Sequence, residues 1–413
     1  MSRSTTAASS SRRGARSGVR EGLTYARALG LRGASQAWRY WNAGLFDPAP
    51  DDVHLQAALD WLCLAQDATG NDGVSSLYRL GGGWDLAYPE TTGYILATFL
   101  SAADMLDRPD LRARAEAMGV WECTIQTESG AVLSRLGKPE TRVFNTGQVV
   151  LGWCALYDEG GERRFLEAAL RAGEYLVATQ EADGSWVNDT YCGARTYHAR
   201  VAWALLRLWR LSDHRPFLER ALSNLRWVLD QQEASGWFGN CGFDSELPIT
   251  HVIGYTLRGL VESRALLERE GERELVDDLA EAATRAADGL CGALRRPGVG
   301  GVPGMLPECF TSTWDGVGDA SCLTGNVQLA LVLLRLAHEL DEPRYTKAAD
   351  SLIDATKRAQ AVRSVRPETR GALPGSYPMR RGYLAMAYPN WATKYLADAL
   401  LARIGGHERI PLA

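Results

Sequence analysis

The residues best suited to chemistry fall in short polar runs that open apolar stretches. One run holds Tyr88, Glu90 and Thr91-Thr92-Gly93, and another Asn145-Thr146-Gly147-Gln148. Two more carry histidines: Tyr197-His198-Ala199-Arg200 and Thr250-His251 with Tyr255 close behind. Leu323-Thr324-Gly325-Asn326 and Pro389-Asn390-Trp391, with Lys394, complete the set. Asp244 and Trp237 lie in the segment before Thr250. Carboxylates and amides bond sugar hydroxyls, and flat rings stack on the apolar face of a sugar. A pocket for a prenyl chain would be mainly apolar.

Two sugar chemistries fit these groups. Proton transfer at C5 of a uronate, giving epimerisation or elimination, needs a base, an acid and a cation beside the carboxylate. His198, His251, Tyr255 and Glu90 are the candidate proton carriers, and Arg200 or Lys394 the cation. Glycoside hydrolysis needs two carboxyls at a set separation, for which Glu90 with Asp244 is the candidate pair. Asn145, Gln148, Asn326, Trp391, Tyr88 and Trp237 are the candidate substrate-binding side chains. Each has a plainer reading. A first-turn Glu90 is favoured by the helix dipole, a histidine at a helix start can serve as a cap, and Trp237 can be packing in a repeated loop. Cys192, Cys241 and Cys322 precede such runs near His198 and His251, so zinc is a further alternative, but no CxxC pair occurs and no metal or cofactor is expected.

The elements that must position these residues are helices in two alternating classes. Amphipathic segments end in glutamine at Gln66, Gln126, Gln180, Gln232 and Gln360, about fifty to sixty residues apart save for one double gap. The segment from Leu275 to Leu294 has the period of the missing member. Loops with glycine and tryptophan follow, such as Asp183-Gly184-Ser185-Trp186 and Gly236-Trp237-Phe238. The polar runs then open the second class, whose bodies, such as 149–157 and 327–336, are apolar nearly all round and so predict burial. Six outer and six inner helices predict an all-α (α/α)6 toroid, with the inner-helix starts at its mouth.

The run Ala172-Gly173-Glu174-Tyr175-Leu176-Val177 with Gln180 and Asp183-Gly184-Ser185-Trp186 resembles the QW repeat of terpenoid cyclases and protein prenyltransferases, which are α/α toroids. The six-hairpin pattern is also similar to that of sugar epimerases, glucuronyl C5-epimerases, polysaccharide lyases and unsaturated glucuronyl hydrolases. From about residue 50 to 400 the chain resembles toroid proteins encoded beside bacterial polysaccharide-assembly enzymes. That likeness rests on Tyr88 to Tyr94, Cys322 to Asn326 and Tyr388 to Trp391. The protonating DxDD and the diphosphate-binding DDxxD of terpenoid enzymes are absent. The resemblance therefore implies a carbohydrate-active enzyme. A terpenoid or prenyl-transferring enzyme and a non-catalytic glycan-binding toroid are the alternatives.

Composition bounds the rest. The chain has 413 residues, 46% hydrophobic and 23% charged, with a net charge of −5. Nothing in that balance points to nucleic acid. Residues 1–20, with Arg3, Arg12, Arg13, Arg16 and Arg20, read as a disordered basic tail able to touch a membrane surface weakly. Residues 21–413 read as one domain. No apolar run approaches the roughly 20 residues of a membrane helix, and a cytoplasmic location is expected.

Overall fold

The structure is a computed structural model that describes residues 45–243, 247–406 and 409–411. The expected basic tail, residues 21–44 and Asp244 lie outside them.

Among the described residues twelve α-helices alternate between two concentric layers. The outer helices are α1 (Asp51–Asp67), α3 (Pro109–Thr124), α5 (Arg163–Ala178), α7 (Arg215–Leu229), α9 (Val276–Leu294) and α11 (Pro343–Lys357). The inner helices are α2 (Pro89–Leu106), α4 (Val143–Gly160), α6 (Ala199–Ser212), α8 (Thr250–Arg269), α10 (Leu323–Glu339) and α12 (Asn390–Gly405). Each inner helix packs on its two inner neighbours in the order α2, α4, α6, α8, α10, α12 and back to α2, so the ring closes. The hairpins are α2 with α3 and onward, and the last pairs α12 with α1, joining the two ends of the described chain.

Burial separates the layers as the apolar pattern predicts. In α4 the run Val143 to Cys154 is buried without a break, whereas α5 buries a stripe of Phe165, Ala168, Ala169, Ala172, Tyr175 and Leu176. Each large apolar side chain buried this way contributes about 1.5–3 kcal/mol. Inner helices also approach closely at glycine: a Cβ on Gly93 would stand 2.7 Å from the Cα of Val149.

The terminal glutamines link the outer layer. Gln180 donates its amide to Gly184 O in its own loop and to Arg220 O on α7, both at 3.0 Å. Gln66 reaches Arg114 O on α3, Gln126 reaches Ala168 O on α5, Gln232 reaches Ala282 O on α9, and Gln360 reaches His54 O on α1. The loops after these helices press on the next outer helix too. Gly184 adopts φ +89°, and a Cβ there would meet Ser223 O at 2.4 Å. Helix α9 lacks the glutamine, yet Gly304 in its following loop sits in the same way against Ser351 O. At the seam, Asp51 at the start of α1 pairs with Lys357 and Arg403 at the ends of α11 and α12.

Short antiparallel strands line the mouth. They are β1 (Leu77–Arg79), β2 (Gly83–Trp84), β3 (Cys309–Phe310), β4 (Gly316–Val317), β5 (Ser321–Cys322), β6 (Ser376–Tyr377) and β7 (Ala387–Pro389). Strand β1 pairs with β2 and also with β7, Tyr78 opposite Tyr388, so the sheet joins the first and last hairpins as the helices do. Strand β5 pairs with β6, Cys322 opposite Ser376. Among the described residues no helix is long and apolar enough to cross a membrane.

Candidate active site

The starts of the inner helices and the loops before them enclose a cavity of about 230 Å³. Its walls are Tyr88, Glu90, Phe144, Tyr191, Tyr197, Phe243, His251, Tyr255, Tyr383 and Trp391. Eight of these ten are aromatic, and Glu90 is the one carboxyl among them.

Glu90 lies in the first turn of α2, where Pro89 begins the helix and Tyr88 precedes it. The Tyr88 hydroxyl is 2.9 Å from Glu90 Oε2 and that of Tyr191 is 3.3 Å from the same oxygen. The two hydroxyls are 2.7 Å apart, and Tyr191 also donates to Asn145 Oδ1 at 2.9 Å. Four oxygen–oxygen contacts thus share two phenolic hydrogens, so a third hydrogen on Glu90 satisfies one more. Burial pushes the Glu90 carboxyl up to about 7, against the opposing pull of both phenols and the more distant Arg200 charge. Oε1 receives no hydrogen bond from the described residues and is the oxygen free for a ligand.

His251 opens α8, three steps from α2 around the six-membered ring in either direction, so it stands on the opposite wall. Its imidazole stacks on Tyr383 with centroids 4.6 Å apart and meets the edge of Tyr255 at 5.6 Å. Burial lowers it to about 3, so the ring is neutral. Nδ1 lies 3.8 Å from the sulfur of Cys322.

Charged groups lie beneath the aromatic walls. The Arg200 Nε donates to Gln148 Oε1 at 2.7 Å, and the guanidinium lies between the faces of Trp203 and Tyr255. Lys394 pairs with Asp398 at 2.6 Å, both side chains fully buried, and Thr98 donates to Asp398 at 2.7 Å. The ammonium also faces Tyr94 and Tyr395, and burial brings it down to about 7. Deeper still, Glu262 takes both Arg258 and Arg335.

Of the residues expected from sequence, Glu90, His251, Tyr255, Tyr88 and Trp391 meet at the cavity. Asn145 stands behind Tyr191, while Gln148, Arg200 and Lys394 belong to the charged layer below. Three others lie elsewhere. His198 ends a 3₁₀ turn before α6 and faces Trp186, its ring fully buried between Trp186 and Tyr197, with neither nitrogen hydrogen-bonded. Trp186 is the loop counterpart of Val132 and Leu373, whose N–H groups bond Thr146 and Thr393, so His198 points outward to its loop. Trp237 packs edge-on against Trp314, and Asn326 donates to Gly304 O behind the wall. The cysteines considered for zinc also part: Cys192 faces Tyr197, Cys241 faces Thr256, and Cys322 alone approaches a histidine. Among the described residues no three His, Cys, Asp or Glu side chains gather as a metal site. Phe144 and Asp398 escaped sequence reading. For Asp398 the spacing of four from Lys394 was the available signal.

No protein-family model matches the chain. It is 28% identical over 236 residues to an ent-copalyl diphosphate synthase from Streptomyces sp. (strain KO-3988), a match covering 51% of this chain and 45% of that one. The match thus spans about half the length of that curated relative. Among solved structures, an unsaturated glucuronyl hydrolase from Bacillus sp. GL1 superposes with a TM-score of 0.66 at 15% identity, covering 86% of this chain and 97% of that one. A sugar epimerase from a ruminal bacterium gives 0.64 at 11% identity, covering 84% and 98%. At these identities the likeness is one of architecture, and the chain is an (α/α)6 toroid of the kind those enzymes share.

Proposed function

We propose that this chain is a carbohydrate-active enzyme that takes one sugar ring of a uronate-containing or related glycan into the cavity and moves a proton, as an epimerase or lyase does. The observation that carries this is the placement of Glu90 and His251 on opposite inner helices, facing one cavity. Near neutral pH Glu90 is poised between its acid and base forms, as an efficient proton carrier must be. As a carboxylate it takes the proton from carbon, with Oε1 toward the substrate. The neutral His251 imidazole on the far wall polarises the oxygen on which charge develops, a role open to an imidazole that burial keeps unprotonated. Arg200 beneath Tyr255 adds positive potential.

Size and surface agree with a sugar. The cavity, of about 230 Å³, has room for a single pyranose ring. Tyr88, Tyr191 and Tyr383 pair ring faces with hydroxyls. Hydrolysis through two carboxyls is the weaker variant, because Glu90 is the one carboxyl on the cavity among the described residues. A cytoplasmic setting accords with eight free thiols.

The second reading is a terpenoid cyclase, in which protonated Glu90 starts a cation that the aromatic faces then stabilise. The cyclase relative and the eight aromatic side chains favour it. One experiment separates the readings. Uronate glycans in deuterated water should gain deuterium beside the carboxylate or yield a 4,5-unsaturated product, and Glu90→Gln should lower that rate about 100-fold or more. No exchange, no unsaturation and no cleavage across the panel would sink the sugar reading. Cyclisation of geranylgeranyl diphosphate would put the second in its place.

A further inference from the structure

We infer that the far end of the ring, opposite the mouth, holds a binding site for a small tetrahedral oxyanion of the phosphate class. The site stands apart from the chemistry proposed for the mouth. Helices α4, α6, α8 and α10 enclose a second cavity there, of about 100 Å³. Glu262 on its wall lies eleven residues beyond His251 on α8, about 16 Å along the helix axis at roughly 1.5 Å per residue. Four guanidiniums line this cavity, Arg207 and Arg210 from α6, Arg269 from α8 and Arg335 from α10, against two carboxylates, Asp158 and Glu262. The carboxylates are already shared. Asp158 takes both Arg207 and Arg210, and Glu262 takes Arg335 together with Arg258. Arg335 also reaches Glu339 at 3.5 Å, but Arg264 holds that carboxylate at 2.6 Å. Arg269 makes no ion pair with the described residues.

The helix ends explain part of this cluster. Arg210 and Arg269 stand in the last turns of α6 and α8, where the carbonyl end of a helix favours a cation. Arg207 and Arg335 lie further in, with side chains 4% and 7% exposed. Their Nε–H groups are buried and meet no acceptor among the described residues. A buried donor left without an acceptor is costly, and native proteins keep few of them. Each Nε belongs to the two-pronged edge by which a guanidinium grips two oxygens of one anion. A carboxylate offers two oxygens in one plane. Donors that reach in from three helices suit the four oxygens of a tetrahedral ion, and its double charge answers the two positive charges in excess on the walls. Trp203 supplies the apolar part of the lining and packs against Arg258 and Arg200, so this cavity adjoins the charged layer below the mouth.

The test is a calorimetric titration of the full chain with inorganic phosphate at about pH 8, with sodium chloride holding the ionic strength constant so that general screening does not change. Wild type should bind one phosphate per chain and saturate. Arg207→Gln removes a buried charged donor and should weaken binding about 10-fold or more. Arg269→Gln alters an exposed residue with no ion pair to lose. It should melt like wild type in chloride and weaken phosphate binding about 3-fold, and it decides the matter if Arg207→Gln fails to fold. A parallel titration with methyl phosphate separates the sources of the anion: a free ion it should fail to match, and the phosphoryl end of an ester it should mimic. No saturable heat with phosphate, or an affinity unchanged in either variant that folds, overturns the inference.

Discussion

Replacing Glu90 by glutamine tests the buried carboxyl without any assay of turnover. The side chain is 7% exposed, and burial raises its carboxyl from the usual 4.5 to about 7. A group raised on folding binds its proton more tightly in the folded state. Its favourable contribution is fully present below pH 4.5 and is lost as pH rises through about 7. At about 1.36 kcal/mol for each pH unit, the loss amounts to about 3 kcal/mol between pH 4.5 and 8. Glutamine has the same shape and no charge to desolvate, so its stability lacks this slope. Urea unfolding of both proteins at intervals from pH 5 to 8.5 gives the difference directly, and the other titrating groups cancel in it. The variant should gain on wild type mainly between pH 5 and 7 and level off above that, by about 2 to 3 kcal/mol in all. A difference that stays flat from pH 5 to 8.5 would refute the reasoning, because it would mean that Glu90 ionises like an exposed carboxylate.

Two further substitutions probe the layers on either side of the cavity. Asp398→Asn strips the fully buried Lys394 of its counter-charge and should cost about 3–5 kcal/mol in urea unfolding, much of it recovered in the double variant with Lys394→Met; a loss below about 1 kcal/mol would show that the aromatic faces of Tyr94 and Tyr395 suffice for the ammonium. His198→Phe should leave ligand binding untouched and improve acid stability: burial lowers His198 from 6.5 to about 3, so wild type loses stability as pH falls from about 6.5 toward 3, and acid titration of the two proteins should diverge over that window.

What could be read in the sequence was what repeats. Glutamines at the ends of outer helices recur because each must bond both its own loop and the next helix, so a structural demand is written five times in one residue type. The layer assignment was legible because inner-helix bodies such as 149–157 and 327–336 are apolar nearly all round. The site was legible only in part. Glu90 and His251 are each the second residue of an inner helix and face inward. His198 looks equivalent in sequence, but a 3₁₀ turn rotates it to the outer side, and no spacing rule reports that rotation. Lys394 reads as a candidate cation, and only the spacing of four ties it to Asp398. Their full burial follows from the ring around them, which only the closed architecture reveals. The sulfur beside His251 joins α8 to α10 across 71 positions, a distance over which local pattern carries no information.

The glutamine links bear on where this chain could be cut. The last inner helix pairs with the first outer helix, so the chain's two described ends meet at an ordinary joint of the ring. A ring whose joints are alike has no preferred beginning, and a new pair of ends can be opened at another joint once the old pair is bridged. The joint between α9 and α11 is the natural choice, because its outer helix lacks the glutamine and is joined instead by the Gly304 loop and by Asp288 with Tyr345 and Arg344. A circular permutant opened there would begin with the fifth inner helix. It would keep every glutamine bond and carry Glu90 and His251 on opposite walls as before.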